Sequence, residues 1–209
     1  MPSNAPPDYR AASAQLAALD ADWARLVAQV GPCTHRSKPA REPFEALVRA
    51  VVYQQLNTRA AETILARLLA LYPGAAFPLP EQLLASEPAA LRACGLSARK
   101  VETLQGIAGG ALSGLVPSRA SADALGDEEL IRRLTGLRGI GRWTVEMLLI
   151  YTLERLDVLP ADDFGVRSGY RRLKGLAALP SPREVARAGL ACRPWRTVAA
   201  WYLWRVPAP

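Results

Sequence analysis

Two glycines, two residues apart between helical signals, constrain this chain more than any other feature. Residues 134–164 read LTGLRGIGRWTVEMLLIYTLERLDVLPADDF. Leu137-Arg138-Gly139-Ile140-Gly141 predicts a tight hairpin, because glycine adopts backbone angles that other residues avoid. From about Arg142 a helix follows, with Val145, Leu148, Leu149 and Thr152 at the three- and four-residue spacing of a buried face. Ile140 between the glycines is expected to plug the turn onto its flanking helices. The first amides of the second helix then lie bare at the positive end of its dipole, a seat for a phosphate. An ordinary helical turn with a C-cap glycine has the same outline. The acids downstream favour the functional reading.

Those acids are Asp162 and Asp163, after Val158-Leu159-Pro160-Ala161. Proline disfavours helix in the residue before it, so the 142–156 helix ends and a new one begins near Asp162. N-cap and first-turn acids are common, and that ordinary role is expected of Asp162. Asp163 is different. An acid held against DNA repels phosphates, which a pure grip avoids. It makes sense where positive charge develops, as on a sugar losing its base.

The remaining chain predicts helix almost throughout. Leu16, Leu19, Trp23, Leu26, Val27 and Val30 mark a helix over about 12–30, followed by a loop at 31–42. Phe44, Leu47, Val48, Val51 and Val52 give the next apolar face. Ile64, Leu65, Leu68, Leu69 and Leu71 give another, ended by Tyr72-Pro73-Gly74. A short helix near 81–92 stops at Gly95. Ser97 caps a helix carrying Val101, Leu104, Ile107 and Leu112, and Ser121 or Asp127 starts the helix that feeds the hairpin. There is no β-alternating run of useful length, so the expected class is all-α.

No run reaches the roughly 18 apolar residues of a membrane span. The N-terminus, MPSNAPPDYR, shows no targeting pattern. Cys33, Cys94 and Cys192 lie too far apart for a metal site or a disulfide framework and suit a reducing cytoplasm. His35, the single histidine, reads as a surface residue. The formal net charge of +7 agrees with a polyanionic partner, although arginine-rich composition alone has other sources.

LRGIGRWTVEMLL followed by LPADDF resembles the helix-hairpin-helix, Gly/Pro loop and Asp signature of the HhH-GPD base-excision DNA glycosylases. It is most similar to the DNA-3-methyladenine glycosylase II group, the alkylbase glycosylases. The resemblance extends to Phe44–Ala61 (FEALVRAVVYQQLNTRAA) and Arg193–Arg205 (RPWRTVAAWYLWR). It implies two interlocked helical subdomains with a DNA-binding cleft between them, and no N-terminal β domain at this length. The expected division is 1–42 as an N-terminal helix and loop, 43–135 as a central subdomain, and 136–209 carrying the hairpin, the Asp and the C-terminal helices.

By resemblance, Asp163 is the catalytic carboxylate, stabilising the cationic sugar or orienting water. Leu56 is the wedge that fills the gap left by an extruded base, flanked by Gln55 and Asn57. A polar break with Leu56 in the core is the plainer alternative. Trp143, Phe164 and Trp204 match positions that stack on the flipped base, and Met147 stands where a relative has an aromatic residue. Phe164 lacks a hydroxyl found in that relative. Trp195 and Trp201 read as core. A π-rich site suits cationic bases such as 3-methyladenine or 7-methylguanine.

The amides of Gly139 and Gly141, with the Thr144 hydroxyl, are expected to hold a phosphate. The carbonyls of Thr135, Leu137 and Ile140 would take a structural Na+ or K+. A Schiff-base lysine of the bifunctional enzymes is replaced by Trp143, and the neighbouring arginines stay protonated. The four-Cys cluster of endonuclease III-like relatives is absent. The expectation is therefore a monofunctional glycosylase with no cofactor for chemistry and no iron–sulfur cluster. It would act as a monomer on alkylated double-stranded DNA, in a bacterial cytoplasm with its nucleoid and with no membrane. Two other readings stand beside it: a non-catalytic helix-hairpin-helix DNA-binding module and a helical scaffold for protein partners.

Overall fold

The structure is a computed structural model that describes residues 9–207, and every secondary element among them is helical. The N-terminal stretch read for targeting lies, up to Asp8, outside the described residues. The chain folds as two compact units. One holds the residues up to 37 together with those from 154 onward; the other is continuous from 38 to 153.

The discontinuous unit starts with α1 (Tyr9–Ala17) and α2 (Ala21–Val30). The sequence suggested one helix over 12–30. Asp20 divides it: its backbone is extended and its carboxylate accepts the N–H groups of Asp22 and Trp23, both at 3.0 Å.

The continuous unit runs through α3 (Pro43–Tyr53), α4 (Thr58–Ala70), α5 (Pro80–Ala85), α6 (Pro88–Ala93) and α7 (Ala98–Leu112). It closes with α8 (Arg119–Asp123), α9 (Asp127–Leu134) and α10 (Arg142–Tyr151). The expected helix near 81–92 is two helices, because Pro88 holds Glu87 in extended backbone. Asp127, not Ser121, starts the helix that leads to the hairpin.

Leu47, Val48, Val51 and Val52 of α3 are fully buried, as are Leu104, Ile107, Leu130, Leu134, Val145 and Leu149 from α7, α9 and α10. Each such side chain stabilises the unit by about 1.5–3 kcal/mol. Because α10 packs on α3 and α9, the hairpin belongs to this unit. The expected division at 135/136 instead falls after Leu153.

The discontinuous unit resumes with α11 (Phe164–Leu173), α12 (Pro182–Ala188), a 3-10 turn (Gly189–Cys192) and α13 (Arg196–Leu203). Trp23, Leu26, Val166, Val185, Val198 and Trp201 share its core. Trp201 fits the core role read for it, and Trp195 is half-buried with its indole N–H on Gln15 at 3.0 Å. His35 departs from expectation: it is 8% exposed, with its ring edge-on to that of Tyr9. Among the described residues no helix is long and apolar enough to cross a membrane.

Candidate active site and DNA-binding hairpin

The hairpin forms as its glycines require. Gly139 has φ +86°, and a Cβ placed there would lie 2.3 Å from Thr103 Oγ1 on α7. Both the turn and the close approach therefore exclude a side chain. Ile140 is 4% exposed and plugs the turn, and its N–H donates to the Leu137 carbonyl at 3.1 Å. Gly141 is the N-cap of α10 and brings no side chain to cap it.

Among the described residues, the N–H groups of Gly139 and Gly141 have no acceptor. Bare amides at the positive end of a helix dipole are an arrangement that favours anions. Thr144, expected to help hold the phosphate, is turned inward. It is 3% exposed, and its hydroxyl oxygen sits 3.4 Å from Gln54 Nε2, so it serves packing against the preceding loop.

The Thr135 and Ile140 carbonyls accept no hydrogen bond among the described residues, and that of Leu137 accepts one, from Ile140. Three carbonyls with spare lone pairs fit a hard monovalent cation. Arg138 pairs with Glu102 at 2.8 Å. Arg142 pairs with Glu128 at 2.5 Å and with Glu146 at 2.9 Å, and the Glu128 bond chiefly holds its guanidinium above the usual arginine range.

The loop after α3 in the same unit presents Leu56. Gln55 takes a left-handed φ of +58°, which turns the chain sharply. Leu56 at its tip is 39% exposed, so it is not the core residue that the plainer reading required. Asn57 caps α4, its side-chain oxygen accepting the Ala60 N–H at 2.9 Å. Gln55 is exposed beside them. On α10, Trp143 is 43% exposed. Met147, one turn on, lines a cavity of about 380 Å³ with Tyr53, Tyr151, Lys38, Arg41 and Arg49.

The other unit holds the carboxylate. Asp163, not Asp162, is the N-cap of α11, its Oδ1 accepting the Val166 N–H at 2.8 Å. The same oxygen accepts the Trp204 indole N–H at 2.8 Å. A cap needs only the first of these bonds. The second comes from 41 residues away and fixes the carboxylate's orientation. Asp163 is half-buried, and Phe164 beside it is 70% exposed.

Glycines that the sequence reading passed over make the Trp204 contact possible. A Cβ at Gly165 would lie 2.8 Å from Trp204 Cδ1, and one at Gly169 would lie 2.0 Å from the Leu203 carbonyl oxygen. Their i, i+4 spacing on α11 was the available signal. Upstream, Thr197 pins the approach to Asp163: its hydroxyl donates to the Arg155 carbonyl at 2.7 Å and accepts from the Val158 N–H at 3.1 Å. Asp157 holds Arg196 through two bonds, at 2.7 and 3.0 Å. Lys100 and Gln54 also went unread, since a lone lysine and a loop glutamine carry no signal by themselves.

Comparison with known proteins agrees with this geometry. The family model described as HhH-GPD superfamily base excision DNA repair protein matches residues 48–194. The DNA-3-methyladenine glycosylase 1 of Schizosaccharomyces pombe is 47% identical over 195 residues, covering 93% of this chain and 86% of that protein. A solved structure of the 3-methyladenine DNA glycosylase Mag1 of that yeast, in complex with abasic DNA, superposes with a TM-score of 0.86 at 47% identity. It covers 93% of this chain and 95% of the other. A crystal structure of DNA-3-methyladenine glycosidase from Bacillus halodurans gives a TM-score of 0.81 at 33% identity, covering 92% and 88%. With relatives in both yeast and Bacillus, the bacterial source expected from the sequence has no support of its own. A bare-amide hairpin, an exposed apolar loop tip and an indole-oriented aspartate thus occur in a chain that belongs to the HhH-GPD superfamily of base excision DNA repair proteins.

Proposed function

We infer that this chain is a monofunctional DNA glycosylase that removes alkylated bases from double-stranded DNA and starts base excision repair. The observation that carries the reading is the Asp163 carboxylate, whose Oδ1 is fixed by both Val166 N–H and Trp204 Nε1. The names of the relatives point to 3-methyladenine as the substrate; 7-methylguanine, also cationic, belongs to the same chemical class.

The amides of Gly139 and Gly141 hold a backbone phosphate 3′ to the lesion, and Leu56 fills the space that the extruded base leaves. The carbonyls of Thr135, Leu137 and Ile140 would hold a monovalent cation, which would supply positive charge toward that phosphate. Gln55 and the Asn57 amide nitrogen bond neighbouring bases in this reading. Trp143, Met147, Phe164 and Trp204 supply polarisable and aromatic surface to a base that carries positive charge.

As the C1′–N bond breaks, the bonding electrons go to the base, which departs neutral. The sugar becomes oxocarbenium-like, and the Asp163 charge stabilises it. Water then adds at C1′ and gives up a proton, which Asp163 accepts. The products are the free base and an abasic site.

No lysine lies on α10, where a Schiff-base route would need one. Lys100 is bonded to backbone carbonyls, and Lys174 to Asp20 and Asp22. The chemistry needs no cofactor, and one chain carries the wedge, the grip and the carboxylate, so it acts as a monomer. The free, buried cysteines suit a reducing compartment with access to DNA. The test is incubation with methylated duplex DNA: alkali-labile sites that form at least about 30-fold more slowly with Asp163→Asn than with the wild type support the assignment. Similar rates from both, or no sites from either, reject it.

A further inference from the structure

We propose that Lys100 is a positioning residue that, with Gln54, locks the Leu56 loop to the phosphate-binding hairpin, so that wedging and grip act as one rigid body. The proposal rests on reading Leu56 as the wedge.

Lys100 stands in the first turn of α7. Its Nζ donates to the Val52 carbonyl and to the Gln54 carbonyl, both at 2.8 Å. These carbonyls belong to the last turn of α3 and to the residue after it, so the ammonium fixes the point at which the chain leaves the helix for Leu56. The charge also suits the negative end of the α3 dipole. Gln54 then reaches the hairpin: its Nε2 lies 3.5 Å from the Gly139 carbonyl and 3.4 Å from Thr144 Oγ1.

The same turn of α7 is also the floor of the hairpin. Thr103, one turn from Lys100, occupies the space that a side chain at Gly139 would need, and Glu102 pairs with Arg138. A single turn of α7 thus seats both DNA-facing loops. The reason is mechanical. A wedge gains only if the force of insertion is resisted by the backbone grip, and Lys100 and Gln54 join the base of the Leu56 loop to that grip.

The substitution Lys100→Met keeps the apolar stem and removes both bonds; Gln54→Ala cuts the second strut with less burden on the fold. The readout is the single-turnover excision rate of one alkylated base, first in full duplex and then in a bubble where it is already unstacked. Both variants should lose about tenfold in duplex and keep the wild-type rate in the bubble, the loss expected from one or two hydrogen bonds. Leu56→Ala is the reference. If it shows no duplex-specific loss, the wedge reading fails. If it does, while Lys100→Met and Gln54→Ala lose equally on both substrates or on neither, the strut is refuted. Melting temperatures measured alongside identify a variant that fails to fold, and Gln54→Ala then decides.

Discussion

Replacing Asp163 by Asn separates catalysis from architecture, because the two depend on different properties of the side chain. The cap and the Trp204 contact both fall on Oδ1, and the asparagine oxygen accepts Val166 N–H and Trp204 Nε1 equally well. The charge is lost, and Oδ2 becomes an amide nitrogen that cannot accept a proton. Toward the helix dipole that charge contributes about 0.3–1 kcal/mol. In a protein of this size the melting temperature should therefore fall by no more than about 4 °C. Toward a sugar cation about 4 Å away, at an effective dielectric near 20, a full charge contributes about 4 kcal/mol. With charge only partly developed in the transition state, about 2–4 kcal/mol is at stake, or about 30- to 1,000-fold in rate. The assay is single-turnover release of base from methylated duplex DNA under excess enzyme, with binding to undamaged duplex measured at several salt concentrations. Affinity should hold or rise, because a negative charge near phosphates has been removed. A variant that excises within threefold of wild type would refute the catalytic role, and a wild type that binds but never excises would favour the non-catalytic module.

Three further outcomes follow from the geometry. Gly139→Ala drives a Cβ to 2.3 Å from Thr103 Oγ1 at a positive φ, so it should lower the melting temperature and abolish salt-dependent DNA binding. Gly141→Ala meets nothing within 4 Å and should fold normally. Any loss in that variant should appear in DNA affinity alone, read from a binding titration. Gly169→Ala should be the most damaging of the three in thermal melts, since its Cβ would lie 2.0 Å from the Leu203 carbonyl, a backbone atom that α13 cannot move alone.

Tyr9 gives a pH signature. Burial first, then the neighbouring Cys33 and Glu154, push its hydroxyl up to about 12 from the ordinary tyrosine value of 10.0. Between these values the folded chain keeps a proton that the unfolded chain has released, so stability is unaffected below the lower value and falls as pH rises through the window. Denaturant melts across that range should show the decline in wild type and a weaker one in Tyr9→Phe; equal declines would refute the assignment.

The sequence by itself determined the helical class, the hairpin and the position of the acid. These are local facts: a GxG at the start of an apolar periodicity and side chains that cap a helix; Pro160 ends none, since α10 stops at Tyr151 rather than near 156. It placed Ile140 as a plug and Leu56 at a turn for the same reason. Local reading erred where a single residue tips the balance, as when Asp20 divides the first helix and Asp163 takes the cap expected of Asp162. Tertiary structure decided what each polar group spends its bonds on. Thr144 turns inward to Gln54, Lys100 reaches the carbonyls of α3, and Trp204 crosses from α13 to Asp163 over glycines that leave room for it. Such partners lie tens of residues apart, and only packing brings them within hydrogen-bond distance. Periodicity shows which face of a helix is buried, and the neighbour that covers it is chosen by the fold.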